Sequence, residues 1–158
     1  MANIATATGA KVYISSASIT ESTDTTGEFA ALTWTEIGLV QSFSAYGDSS
    51  SVVKFASLSD GRNRVAKGIR DAGEMTLTVA RAPDDAGQQA LVAAELLTTK
   101  YGFKIVLPNR LTTLGTDEIN YFRGLVTGKR NGNGQNDQVL MRDFVIAIDS
   151  PIYETAAT

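Results

Sequence analysis

Asp84, Asp85, Glu95, Asp117 and Glu118 are the residues whose type and spacing come nearest to a reaction centre. Two carboxylates converging on one bond would give general acid–base hydrolysis. The chain has no histidine and no cysteine. That removes an imidazole base, a thiolate nucleophile, a disulfide and any zinc site built from those side chains. A carboxylate pair is what remains, and the spacing does not favour one. Asp117 and Glu118 are adjacent, and neighbours on a strand point to opposite faces. Asp84 and Asp85 stand just before an apolar pattern of helical period, where carboxylates cap and solvate a helix start. No run of Asp and Asn has the spacing of a calcium loop. Gly132 and Gly134 lie between two strand patterns, with no helix after them and no lysine in the phosphate-loop position. No catalytic set, cofactor or metal is expected, and the chain reads as something other than an enzyme.

A second group is basic: Lys54, Arg62, Arg64, Lys67, Arg70 and Arg81. It admits three readings, a protein interface, a solvated surface and a DNA-binding patch. Residues 54–81 hold six basic and three acidic side chains, a net of +3, whereas residues 1–53 hold one lysine against five acids, a net of −4. Charge divided in this way suits head-to-tail contact between copies of one subunit. The whole chain carries −3 with a pI of about 4.9, which disfavours a surface that grips phosphates. The interface reading therefore stands first and nucleic acid last.

These residues must be positioned by a chain of 158 residues, 43% hydrophobic and 20% charged. That is one globular domain, 1–158, with a sizeable core. No apolar run approaches the ~20 residues of a membrane-spanning helix. The first residues lack the charged and apolar regions of a signal peptide, so a cytosolic origin is expected. Period-two alternation marks strands at 10–15, 33–36, 39–46, 74–81, 103–107, 118–128 and 138–149. In 74–81, Met75, Leu77 and Val79 point one way. In 39–46, strict alternation puts Val40, Ser42, Ser44 and Tyr46 on one face. One helix is expected from about Asp85 to Thr98, with Asp85 and Gln88 at capping-box spacing. Its packing face would be Ala90, Leu91, Ala94 and Leu97. Segment 16–30 reads as a loop with little to bury. Segments 1–9 and 150–158 read as flexible arms, and 129–136 as a polar turn. Residues 47–61 read as a protruding hairpin. The sum is a mainly β fold: an antiparallel β-sandwich or partly open barrel with one flanking α-helix.

The order of these pieces resembles a known family. Asp71-Ala72-Gly73-Glu74 leads into a strand, and Asp84-Asp85-Ala86-Gly87-Gln88-Gln89-Ala90-Leu91 opens a helix. Tyr101 to Pro108, Tyr121 to Val126, and a last strand ending Ile146-Ala147-Ile148-Asp149-Ser150 follow, and Trp34-Thr35-Glu36-Ile37-Gly38 precedes them all. Together they are similar to the major tail tube proteins of lambda-like, long-tailed (siphovirus) bacteriophages. The resemblance implies a β-sandwich whose subunits form hexameric rings, and rings that stack into the tube through which DNA is ejected. It implies as partners other copies of the chain, the tape measure protein, and the tail tip and tail terminator proteins. DNA would pass through the lumen without specific binding, and the protein would reside in the virion tail after assembly in the host bacterial cytoplasm. The tube-forming protein of a type VI secretion-like contractile system is the nearest alternative. A carbohydrate-binding β-sandwich is a third, though aromatic residues make up only 8% of the chain.

Within that framework the hairpin is the expected site of ring-to-ring contact, through Asp48, Val52, Val53, Lys54, Phe55, Leu58 and Asp60. Its ends are too polar for a core, yet Val52, Val53, Phe55 and Leu58 would stay wet in a monomer. Burying one such side chain contributes roughly 1.5–3 kcal/mol. Charge pairs between rings are expected from Glu21, Asp24 and Glu28 to Arg62, Arg64 and Lys67. Segment 62–69, polar on both faces, would suit the wall of a water-filled lumen.

Overall fold

The computed structural model describes residues 4–20 and 25–158. The elements run β1 (Lys11–Ser18), α1 (Thr26–Ala30), β2 (Trp34–Ile37), β3 (Val40–Phe43), β4 (Ser49–Ala56), β5 (Asn63–Asp71), β6 (Glu74–Ala80), α2 (Ala86–Glu95), β7 (Tyr101–Leu107), β8 (Glu118–Asn131), β9 (Met141–Ile148) and β10 (Tyr153–Thr155). The main sheet has the order β2-β1-β7-β8-β9-β6-β3, with β10 also paired to β8, and every pairing is antiparallel. β2 and β3 are the two ends of that path, yet only Gly38 and Leu39 separate them in sequence. So short a link reaches about 11 Å at most. The sheet must therefore roll until its ends meet at that corner, and it stays open rather than closing into a barrel.

The rolled sheet encloses the core. Met75, Leu77 and Val79 of β6 are fully buried, as their alternation predicts. Val12, Ile14, Phe103, Ile105, Phe122, Phe144 and Ile146 meet them from β1, β7, β8 and β9. α2 lies over β1, β2 and β8 and adds Leu91 and Ala94. Ala90 is partly buried against the same cluster. Leu97 departs from the expected packing face: it is half exposed, because α2 ends at Glu95 rather than near Thr98. The Leu97 N–H bonds to the Ala94 carbonyl three residues back, a tightening of the last turn that swings Leu97 off the buried stripe.

The outer face of β8 carries a second, smaller cluster. Tyr121 points away from Phe122, as strand neighbours do, and packs with Ile19 and Phe29. This corrects the loop expected at 16–30, since α1 forms there and Phe29 is fully buried. Thr25 caps α1 with a complete capping box: its hydroxyl accepts from the Glu28 N–H at 3.2 Å, and the Glu28 carboxylate accepts from the Thr25 N–H at 3.1 Å. Residues 150–158 are likewise docked rather than a flexible arm. β10 pairs with Ile119–Tyr121, and the Thr158 N–H donates to the Thr116 carbonyl at 3.0 Å. Two strand expectations also shift. β8 continues to Asn131, into the first residues of the expected turn at 129–136. β3 carries an irregularity at Gln41, so Val40 and Phe43, on opposite faces by strict alternation, both pack on the main core.

Candidate assembly surface

β4 and β5 pair only with each other and form a hairpin set apart from the rolled sheet. It spans Ser49–Asp71, longer than the 47–61 expected, and it absorbs the segment 62–69 that was read as a lumen wall. Glycines stand at both roots, Gly47 at φ 145° and Gly73 at φ 69°. Side chains rarely adopt these angles, and a Cβ at either position would meet nothing within 4 Å among the described residues, so conformation rather than packing calls for glycine there.

The pairing register sets what each hairpin face presents. Val53 with Ala66 and Phe55 with Arg64 share one face; Val52 with Lys67 and Lys54 with Val65 share the other. Each face thus mixes apolar and basic groups, and the subunit covers neither. Val52, Val53, Phe55, Val65 and Ile69 are all more than half exposed, and Leu58 at the tip is fully exposed. Val65 and Ile69 extend the apolar set beyond the residues read from sequence. Alternation could not reveal them, because a strand with no buried face need not alternate.

Two of the residues expected to pair between rings, Arg64 and Glu28, have partners within the subunit. The Arg64 guanidinium donates to Asp60 at 2.7 Å across the tip, and Arg70 pairs with Asp48 at 2.9 Å at the root. Asp48, Asp60 and Arg64 are therefore occupied within the subunit. Glu28 serves the α1 capping box. Glu21 and Asp24 lie outside the described residues. Lys54, Arg62 and Lys67 are exposed on the hairpin, and no ion pair is formed by them among the described residues.

Three of the five acids that could have done chemistry, Asp85, Asp117 and Glu118, have structural partners instead. One Asp85 carboxylate oxygen accepts from the Gln88 N–H at 2.8 Å and from the Gly38 N–H at 3.1 Å. Glu118 accepts from the Asn109 side chain at 2.7 Å, and Asp117 from the Arg110 N–H at 3.1 Å. The carboxyl pKa of Asp149 is lowered. The hydrogen bond from Lys100, at 2.6 Å, holds it below the usual range; partial burial opposes this, and the charges of Lys100 and Arg123 add to it. That cluster ties the start of β7 to β8 and the end of β9. Among the described residues, no group of three or more acidic side chains is placed to hold a metal ion, and no helix is long and apolar enough to cross a membrane.

A subunit with a rolled antiparallel sheet, one packed helix and an uncovered hairpin has the form of a building block. Its sequence matches the model of the phage tail tube protein family, TTP, over residues 7–157. The chain belongs to that family. This tail tube protein is a structural component of the virion tail. No curated protein matches it in sequence. Among solved structures it is similar to a chain of the anti-feeding prophage baseplate, with a TM-score of 0.74 at 13% identity, covering 100% of this chain and 99% of that one. It is also similar to the SPP1 tail tube, with a TM-score of 0.68 at 12% identity, covering 97% of this chain and 80% of that one. A chain of the sheath–tube complex of an extracellular contractile injection system, PVC, gives 0.66 at 12% identity, covering 94% of this chain and 88% of that one. At these identities the likeness is one of fold.

Proposed function

We propose that this tail tube protein forms six-membered rings that stack through the β4–β5 hairpin into a conduit for DNA. The observation that carries the reading is a two-stranded hairpin with uncovered apolar groups on both faces, attached to a body that is complete without it. An isolated two-stranded hairpin is marginal in water. Pairing it with a neighbour buries Phe55, Leu58 and the valines, each at roughly 1.5–3 kcal/mol. Sixfold symmetry has support in the similar chain of the anti-feeding prophage baseplate, which was solved with sixfold symmetrisation. The partners in this reading are other copies of the chain, the tape measure protein, and the tail tip and tail terminator proteins. The protein works as a scaffold and not as an enzyme.

The test is a variant in which residues 49–71 are replaced by a short Gly-Ser turn. Ser49 and Asp71 are cross-strand partners, so such a turn spans the gap and leaves the rolled sheet whole. The expected result is a folded subunit, with normal circular dichroism and melting, that no longer forms tubes in electron micrographs. Tubes of normal length from this variant would overturn the stacking role.

A further inference from the structure

The hairpin needs a seat on the next subunit, and the outer side of α2 has the shape and chemistry of one. A groove of about 360 Å³ runs there, lined by Ala82, Pro83, Val92, Ala93 and Leu96 with the flanks of Gln88, Gln89 and Arg142. Its apolar wall is uncovered in the subunit, and Leu96 is three-quarters exposed. Segment 82–97 contains three acids, Asp84, Asp85 and Glu95, and no basic residue. Asp85 is occupied in capping α2. Asp84 and Glu95, before and at the end of the helix, have no ion pair among the described residues. Arg142 on the β9 side is held by the Asn131 side-chain oxygen at 3.0 Å.

The hairpin is the complement of this surface. It offers Phe55 and Leu58 as apolar matter, and Lys54, Arg62 and Lys67 as exposed cations that form no ion pair among the described residues. We infer that the tip of the hairpin of one copy seats in the α2 groove of the next copy. Phe55 and Leu58 lie against Val92, Ala93 and Leu96, and the hairpin cations lie toward Asp84 and Glu95, away from Arg142. Donor and acceptor are different patches of the same chain, so the contact is head-to-tail, and placed between successive rings it repeats along the stack. The inference rests on the stacking role proposed above. It moves the acidic partner of the hairpin from the first third of the chain to α2.

The chain has no cysteine, so introduced thiols report on one contact at a time. Leu58→Cys and Leu96→Cys single variants, distinguished by mass tags, are mixed, assembled and oxidised. A disulfide requires Cα atoms within about 7 Å. The expected product is a reducible heterodimer of the two variants, dominant over either homodimer. Assembled tubes that give no such heterodimer would overturn the seat, as would a dominant cross-link of Leu58→Cys to Glu28→Cys in the parallel mixture. Either result leaves the stacking role standing, which only the hairpin-deletion variant decides. A second variant removes dependence on thiol chemistry. Ala93→Trp fills the groove from an exposed position. It should keep the melting temperature of the free subunit and lose tube formation; normal tubes would overturn the inference.

Discussion

Gln88 is almost completely buried, and its side chain makes three hydrogen bonds that no helix requires. Nε2 donates to the Gly38 carbonyl at 3.0 Å and the Ala80 carbonyl at 2.8 Å, and Oε1 accepts from the Ala82 N–H at 3.0 Å. With Asp85 on the Gly38 N–H, it clasps the corner where the two ends of the rolled sheet meet. Gln88→Leu keeps the bulk but leaves those backbone groups without their partner, at about 1–3 kcal/mol for each that stays dry. A lowered melting temperature is expected; unchanged thermal unfolding would show that the clasp is dispensable. Gly87 gives a second test. A Cβ there would lie 2.2 Å from the Glu36 carbonyl oxygen and 2.6 Å from Ile37 Cα, backbone atoms that cannot step aside. Alanine favours a helix over glycine by about 1 kcal/mol, but forcing α2 off β2 costs about 1–3 kcal/mol or more, so Gly87→Ala should destabilise. Gly27→Ala in α1, whose Cβ would meet, among the described residues, only Thr25 Oγ1 at 4.0 Å, should be neutral or stabilise by up to about 1 kcal/mol. If both substitutions shift the melting temperature alike, helix propensity and not close packing governs Gly87. Asp85 and Gln88 at capping-box spacing announce the helix start in the sequence. The clasp uses the same two residues, and only the folded corner reveals that the Gln88 side chain turns away from the cap.

At the scale of elements, the strands with one buried face were legible and those without were not. β6 shows its alternation because Met75, Leu77 and Val79 all face the core. β5 shows none because nothing covers it, and the irregularity of β3 breaks the period at Gln41. α1 is too short for a helical period of its own, although its Thr25 to Glu28 spacing is a capping box. Its anchor is Phe29, stacked on Tyr121 at 5.8 Å and tilted against Tyr153 at 5.4 Å between ring centroids. Phe29→Ala should cost about 3–5 kcal/mol and release α1 from the outer face of β8. Near-full amide exchange protection of residues 25–32 in that variant would refute this. Asp149 gives the elements a pH dependence. Its folded pKa is depressed, first by the Lys100 hydrogen bond, so its stabilisation is complete above the ordinary carboxylate pKa of about 3.9. That stabilisation is lost as pH falls through the lower folded value. The pair is partly exposed, so the effect is modest and salt-sensitive. Asp149→Asn should flatten the acid limb of melting temperature against pH; an acid limb as steep as that of the unaltered protein would assign the dependence to other groups.

For the whole molecule, charge follows architecture. Five of the 14 basic and two of the 17 acidic residues lie between Ser49 and Asp71, so the hairpin carries +3 and the rest of the chain −6. A DNA conduit needs a wall that phosphates do not grip, because each contact that releases counterions adds affinity. Six copies at −3 each give a proposed ring −18. If the hairpins seat on acidic neighbours, their cations are spent at subunit contacts and are absent from the conduit. The free subunit and the tube should then differ toward DNA. Free subunits should show weak binding to duplex DNA at low ionic strength, lost as salt rises toward physiological levels, with Lys54, Arg62 and Lys67 responsible. Assembled tubes should show none under either condition. Fluorescence anisotropy of a labelled duplex, titrated with subunits and with purified tubes, measures both. Binding by tubes that is as tight as that by free subunits would mean that the hairpin cations remain open after assembly, and the division of charge would then have to serve something other than joining subunits.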